Sequence, residues 1–394
     1  MQLPGNLGHL TYCLNIHPAQ TWADVRSALQ GPVQEVRQAL APRAPFAVGL
    51  RFSAQALRAL EEPSARSELQ ALLHENDYRA VTVNGFPYGI FHGARVKEEV
   101  YQPDWRFTER LDYTRGLATL MAELNVPGAS VSLSTVPGAF KPLGQGAEAL
   151  MADNLLKAAA HCVRLARRSG VTVAIALEPE PCCFLETIDE AIAFFEHCLF
   201  TDRAARRLAE MTGLTVAQAA SALPRHLGLC YDVCHAAVEF ETPRASIEAL
   251  QRAEVPIHKL QLSAALRVPA IDAAARRALE AFCEPTYLHQ VVASGRHGLM
   301  RHVDLPEALA RGHETDGEEW RIHYHVPLFV ETLGRFQTTQ AFLSEILALH
   351  RHEPIASHLE VETYTWHVLP ESLKESRVED AIIREMHWVL EQLL

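Results

Sequence analysis

Four places in this sequence offer donors that could share a cation. They are Glu178 in Ala-Leu-Glu-Pro, the run Asp232-Val233-Cys234-His235, Gln261 in Leu-Gln-Leu, and Glu360 with Glu362 near the C-terminus. A hard divalent cation takes several oxygen donors and tolerates one or two imidazoles, so the set suits manganese, magnesium or cobalt better than a thiolate zinc site. Singly the signals are ordinary, since Asp-x-x-His is commonly a helix cap and a Glu before Pro a common strand stop. Their weight lies in coincidence, because each stands at the same end of a separate strand-like run. Buried carboxylates that face one another without a cation repel and are costly to desolvate.

The elements that must position these residues can be read from periodicity. Eight short apolar or β-branched runs alternate with amphipathic stretches of helical length: 10–17, 46–52, 80–85, 129–135, 172–179, 226–233, 257–263 and 357–364. That alternation is the pattern of a parallel sheet with outer helices. Helix starts are marked by Thr21-Trp22-Ala23-Asp24 and Thr187-Ile188-Asp189-Glu190, each a capping-box pattern. The clearest helix spans 151–168, with Leu155, Ala158, Cys162 and Leu165 on one stripe and Gly170 beyond its end.

Strand side chains alternate between faces, so one parity of a barrel strand fills the interior. Val173, Ile175 and Leu177 oppose Ala174, Ala176 and Glu178; Leu227, Leu229 and Tyr231 oppose Gly228, Cys230 and Asp232. Leu359 and Val361 oppose His358, Glu360 and Glu362, and on the first run Tyr12, Leu14 and Ile16 oppose Cys13, Asn15 and His17. The second set of each faces inward and turns polar toward the strand ends, which makes a wet pocket at that mouth. The expected fold is an α/β (β/α)8 TIM barrel, one domain over 1–394, with a long insertion after strand 7 (about 264–319) as a lid capping the C-terminal mouth.

A net charge of −12 argues against a phosphate-backbone ligand, which needs clustered Lys and Arg. No nucleic-acid partner is expected. No run of about 18 apolar residues appears, and Met1-Gln2-Leu3-Pro4-Gly5-Asn6 lacks the features of a secretory signal, so a cytoplasmic protein without stable membrane insertion is expected. The eight cysteines show no zinc-ribbon or disulfide-scaffold spacing and read as reduced core residues. Oligomeric state is left open, homo-oligomers included.

Glu178 in Ala-Leu-Glu-Pro, Asp232-x-x-His235, a polar residue in the next strand and Glu362 on the last strand resemble the sugar isomerase and epimerase barrels related to xylose isomerase and endonuclease IV. The start Thr11-Tyr12-Cys13-Leu14-Asn15-Ile16-His17, the turn Asn84-Gly85-Phe86-Pro87-Tyr88-Gly89, Lys97 to Trp105, and His323-Tyr324-His325-Val326-Pro327-Leu328 resemble, more specifically, the metabolite traffic family EboE. That likeness covers essentially the whole chain. The resemblance implies a divalent metal (Mn, Mg, Co or Zn) held by Glu178, Asp232, a strand-seven ligand and Glu362, with His235 contacting metal or substrate. It also implies that Glu178 and Glu362 are the proton-moving pair. The chain departs from the pattern at Gln261, a neutral amide where the sugar epimerases usually offer His, leaving His325 or His323 to complete the site.

Asn15, His17, Arg51, Asn84, His92, Lys97 and Lys141 are further candidates for contact with a small-molecule substrate, Arg51 because it shares the inward parity of Gly49. Three functions compete. The first is an isomerase or epimerase of a polyhydroxylated carbonyl compound, in which metal and paired carboxylates stabilise an ene-diolate and move its proton. The second is a non-catalytic carrier in an export pathway. The third is an endonuclease IV-like hydrolase, which the acidic balance disfavours.

Overall fold

The computed structural model describes residues 1–86, 97–367, 369 and 377–394. Among the described residues, fourteen strands form two sheets. The barrel strands are β1 (His9–Tyr12), β2 (Phe46–Arg51), β3 (Tyr78–Asn84), β4 (Ser130–Thr135), β5 (Thr172–Leu177), β6 (Leu227–Asp232) and β7 (Ile257–Leu262). After β7 come six strands of an inserted sheet: β8 (Ala265–Val268), β9 (Val291–Gly295), β10 (Gly298–His302), β11 (Glu319–His325), β12 (Thr332–Leu333) and β13 (Phe336–Thr338). The chain then re-enters the barrel through the helix Gln340–His352 and β14 (His358–Val361).

The barrel strands lie in the order β1-β14-β7-β6-β5-β4-β3-β2, every neighbouring pair parallel. A parallel bridge from Cys13 to Gly49 joins β1 to β2 and closes the ring. This is a (β/α)8 TIM barrel, and each of the eight runs read from periodicity supplies one of its strands. Helices cover the outside because parallel neighbours need crossover connections. Both expected capping boxes are present, at Thr21 with Asp24 and at Thr187 with Glu190. The long helix spans Glu148–Ser169 and stops at Gly170, which takes the left-handed φ of 72°.

Alternation holds along the strands and fails where they end. A Cβ on Gly49 would stand 1.7 Å from Glu360 Oε1, so only glycine lets the inward face of β2 pass that carboxylate. Beyond β1, by contrast, the chain turns into a 3-10 helix at Leu14–Ile16, and parity no longer predicts direction. The inserted sheet also extends past the expected limit near residue 319. It is antiparallel, ordered β10-β9-β11-β8-β13-β12, and runs to Thr338. Several of its strands are too short to leave a period-two signal, Thr332–Leu333 and Phe336–Thr338 above all. All eight cysteines are free, and six of them are buried.

The last helix, Val378–Leu393, turns Glu385 into the core, where Oε1 accepts from Leu328 N (3.1 Å) and Thr363 Oγ1 (2.6 Å). Burial pushes this carboxyl up to about 8, outweighing both hydrogen bonds. The folded value lies above the unfolded one, so the contribution to stability is full below the ordinary Glu pKa and is lost as pH rises toward 8. Glu385→Gln keeps the acceptor and removes the buried charge. It will therefore stabilise the protein above pH 8 by on the order of 1–3 kcal/mol and have little effect at pH 5, measured by urea unfolding at both pH values.

Candidate metal centre

At the C-terminal mouth of the barrel the inward parity delivers carboxylates in quantity. Glu178 follows β5, Asp232 ends β6, Gln261 lies on β7, and Glu360 and Glu362 lie on and just beyond β14, all buried. Asp232 is held by its own turn: Oδ1 accepts from Cys234 N (2.8 Å), His235 N (3.0 Å) and Ser263 Oγ (2.7 Å), capping the helix Val233–Val238. That fixes Oδ2 toward the interior with no hydrogen-bond partner. Glu178 Oε2 is likewise buried without a hydrogen-bond partner, and the Gln261 amide is buried beside Glu362. Asn15 Nδ2 donates to Glu362 Oε1.

The two carboxylates of β14 have different company. Lys259, wholly buried on the inward face of β7, places Nζ 2.5 Å from Glu360 Oε2 and 3.2 Å from Ser134 Oγ. Glu360 is thus engaged in an ion pair below the mouth. Glu362 instead has a carboxylate oxygen within 4.8 Å of ligand atoms of Asp232 and His325, while Glu178 is grouped in the same way with Asp232 and His235.

The electrostatics follow from crowding. Burial, then the charges of Asp232 and Glu362, push the Glu178 carboxyl well above the ordinary range. Burial, then Asp232 and Glu360, raise Glu362 to about 7. For Asp232 burial acts in the same direction, but His235, His325 and the Ser263 and backbone hydrogen bonds overcome it and hold the group below its usual value. Five buried carboxylates (Glu178, Glu180, Asp232, Glu360, Glu362) face one buried lysine, Lys259. The unpartnered Glu178 and Asp232 oxygens and the Gln261 amide fit a divalent cation, which would relieve the excess negative charge.

A cleft opens above these groups. Glu178, Glu362, His235, Asn15, Asn84 and Lys97 all line it, as does His323 of the inserted strand β11. Lys97 is ion-paired with Asp304. Three expected contacts are not brought to it. His17 lies past the end of β1, where the turn brings Nε2 to the Tyr12 hydroxyl (3.0 Å) instead of the cleft. Arg51 gives Nη1 to Ala19 O (3.2 Å) and Nη2 to Phe86 O (3.4 Å). Lys141 pairs with Glu186 (2.6 Å) and Glu190 (2.7 Å). His92 lies outside the described residues. His325 and Gln261 are buried beneath the cleft and do not line it.

Sequence reasoning missed the other walls. Glu180 lines the cleft, its Oε1 accepting from the Tyr101 hydroxyl at 2.6 Å, and Tyr287 and Tyr364 close it from the insertion and the turn after β14. Glu180 was signalled by its spacing of two from Glu178, and Lys259 by its spacing of two from Gln261. The tyrosines carry no local signal, since their meeting depends on how the inserted sheet docks.

No family model matches the chain, and no curated protein matches it. Among solved structures, it is similar to the IOLI protein with a binding zinc atom, at 10% identity and TM-score 0.46 over 98% of each chain. A xylose isomerase domain protein from Planctomyces limnophilus shares 11% identity, TM-score 0.48, over 91% of this chain and 90% of its own. A xylose isomerase-like TIM barrel protein from Mycobacterium smegmatis in complex with magnesium shares 11%, TM-score 0.48, over 97% and 98%. Likeness this distant bears no weight on the chemistry, which rests on the residues themselves. No helix among the described residues is long and apolar enough to cross a membrane.

Proposed function

We propose that this barrel is a divalent-metal-dependent isomerase or epimerase of a small polyhydroxylated carbonyl compound, sugar- or cyclitol-like. The observation that carries the reading is the placement of Glu178 and Glu362 in one cleft, on opposite sides of the unpartnered Asp232 Oδ2 in sequence order around the barrel. Glu178, Asp232, Gln261 and Glu362 are the residues that would hold the cation. Bound there, a divalent cation supplies Lewis-acid stabilisation of negative charge on neighbouring substrate oxygens. Glu178 and Glu362 take and return the carbon-bound proton, one from each face. Asn15 orients Glu362 through its amide hydrogen bond. Asn84 and Lys97 offer polar contacts to hydroxyl groups, while Tyr101, Tyr287 and Tyr364 exclude water. The EboE resemblance supports placing this reaction beside the movement of a small metabolite out of the cytoplasm, in which the inserted sheet serves as the lid of a single barrel domain.

Glu362→Gln separates turnover from recognition, because proton transfer needs an ionisable group whereas a hydroxyl can be bound by an amide. With a panel of ketoses, aldoses and cyclitols in deuterated water, the native protein will exchange a carbon-bound proton of at least one compound. The variant will bind that compound with similar affinity and exchange it at least about 100-fold more slowly. Binding without exchange in the native protein would instead establish the carrier role.

A further inference from the structure

Beside the carboxylates stands a second group of donors with different chemistry. Cys234 Sγ and ring nitrogens of His235, His323 and His325 all lie within 4.8 Å of one another, and all four residues are buried. Cys234 and His235 come from the helix that follows β6, and His323 and His325 from β11 of the inserted sheet. The two β11 histidines share a face because they are two apart, while Tyr324 between them packs on Phe282 with ring centroids 5.1 Å apart.

The proton positions on these rings are dictated by their other nitrogens. His235 Nδ1 faces Pro179 O at 2.9 Å, and His325 Nδ1 faces Glu362 O at 2.7 Å. His323 Nδ1 faces Gln290 Oε1 at 2.8 Å, and that amide cannot be reversed, because its Nε2 donates to Pro181 O at 3.2 Å. A carbonyl oxygen has no hydrogen to give, so each Nδ1 carries the proton and each Nε2 of a neutral ring is a bare lone pair. Yet His235 Nε2 and His323 Nε2 stand 3.1 Å apart, and His325 Nε2 is 3.4 Å from Cys234 Sγ. The Cys234 thiol can satisfy His325 by donating its hydrogen, but the facing His235 and His323 lone pairs have no hydrogen between them and repel unless a cation lies there. Metal-bound histidines characteristically give their second nitrogen to a carbonyl or carboxylate, which fixes the ring. Tetrahedral zinc with bonds of about 2.0–2.3 Å needs its ligand atoms roughly 3.3–3.7 Å apart, close to the separations seen.

We propose that Cys234, His235, His323 and His325 form a second metal site, a thiolate and three-imidazole site for zinc that fastens the inserted sheet to the barrel mouth. Cys234 binds as the thiolate, its proton leaving to solvent. Four protein donors complete a tetrahedron, so this site is closed and structural, whereas the carboxylate site above β5, β6 and β14 is open to the cleft. It goes beyond the isomerase reading and does not depend on it.

Cobalt(II) titration of the chelator-stripped protein tests the proposal. At saturation one cobalt per chain will show thiolate-to-cobalt charge transfer in the near ultraviolet with intense tetrahedral visible bands, and zinc will bleach both. Cys234→Ser will lose the charge-transfer band. His323→Gln will lose the tetrahedral intensity, and Gln290→Leu, which only unfixes the His323 ring, will weaken cobalt affinity by about 10–100-fold. Glu178→Gln will keep the band. A native protein without thiolate charge transfer, or a band that survives Cys234→Ser, overturns the second site. Neither result touches the Glu362→Gln exchange experiment, which decides the isomerase reading separately. Should Cys234→Ser fail to fold, the Gln290→Leu affinity carries the test, and an unchanged affinity there overturns the proposal.

Discussion

Asp232→Asn will lose one equivalent of divalent metal relative to the native protein when both are purified without chelator and analysed by elemental mass spectrometry. The amide retains an oxygen to cap Cys234 and His235 and to accept from Ser263, as Oδ1 does in the native protein. What it removes is the negative charge of Asp232, the residue that both carboxylate-containing groups share and whose Oδ2 is buried without a hydrogen-bond partner. Affinity for a hard cation depends on ligand charge, so one carboxylate in a set of three is a large fraction of the binding energy. Chelator will lower the melting temperature of the native protein by more than that of Asp232→Asn, which has only the thiolate and imidazole site left to lose. Linkage sets the size of the native loss at a few kcal/mol when metal stands at ~100 times its dissociation constant. A native protein that melts alike with and without chelator, and carries no metal, would remove the basis of the site.

The second large effect lies one layer down. Lys259→Met will destabilise the protein by about 3–5 kcal/mol in urea unfolding, because it strands Glu360 as a buried charge with no cation. Lys259 and Glu360 are both fully buried, and burial works to discharge the lysine while the Glu360 carboxylate holds it protonated. The same change made together with Glu360→Leu will recover most of the loss, since an apolar pair of similar volume carries no desolvation cost. A single variant as stable as the native protein would show that the ion pair does not hold the barrel floor. The pair also bears on metal binding, because a glutamate engaged by lysine is not free to ligate, which leaves Glu362 as the carboxylate of this strand end available to a cation.

Much of this molecule follows from short-range pattern, and for a physical reason. Period-two alternation depends only on neighbouring residues along a strand, so the eight barrel strands, their inward polar parity and the strand-end positions of Glu178, Asp232, Gln261 and Glu362 are legible in the sequence. Capping at Thr21 and Thr187 and the stop at Gly170 are likewise local. Where the strand ends, that logic ends with it. His17 turns to Tyr12 because a 3-10 turn breaks the alternation, and Arg51 is taken by carbonyls that only the folded loops bring near.

Tertiary structure alone decided which donors meet. Glu360 and Glu362 have the same parity, and the choice between them rests on Lys259 reaching across from β7. Cys234 and His325 are 91 positions apart, and their contact at 3.4 Å exists because the inserted sheet folds back over the mouth and presents β11 to the helix after β6. Sequence determined that carboxylates and imidazoles would gather at one end of a barrel. Closure of the ring and docking of the insertion, both long-range packing events, sorted them into a buried ion pair, an oxygen-donor group and a thiolate and imidazole group.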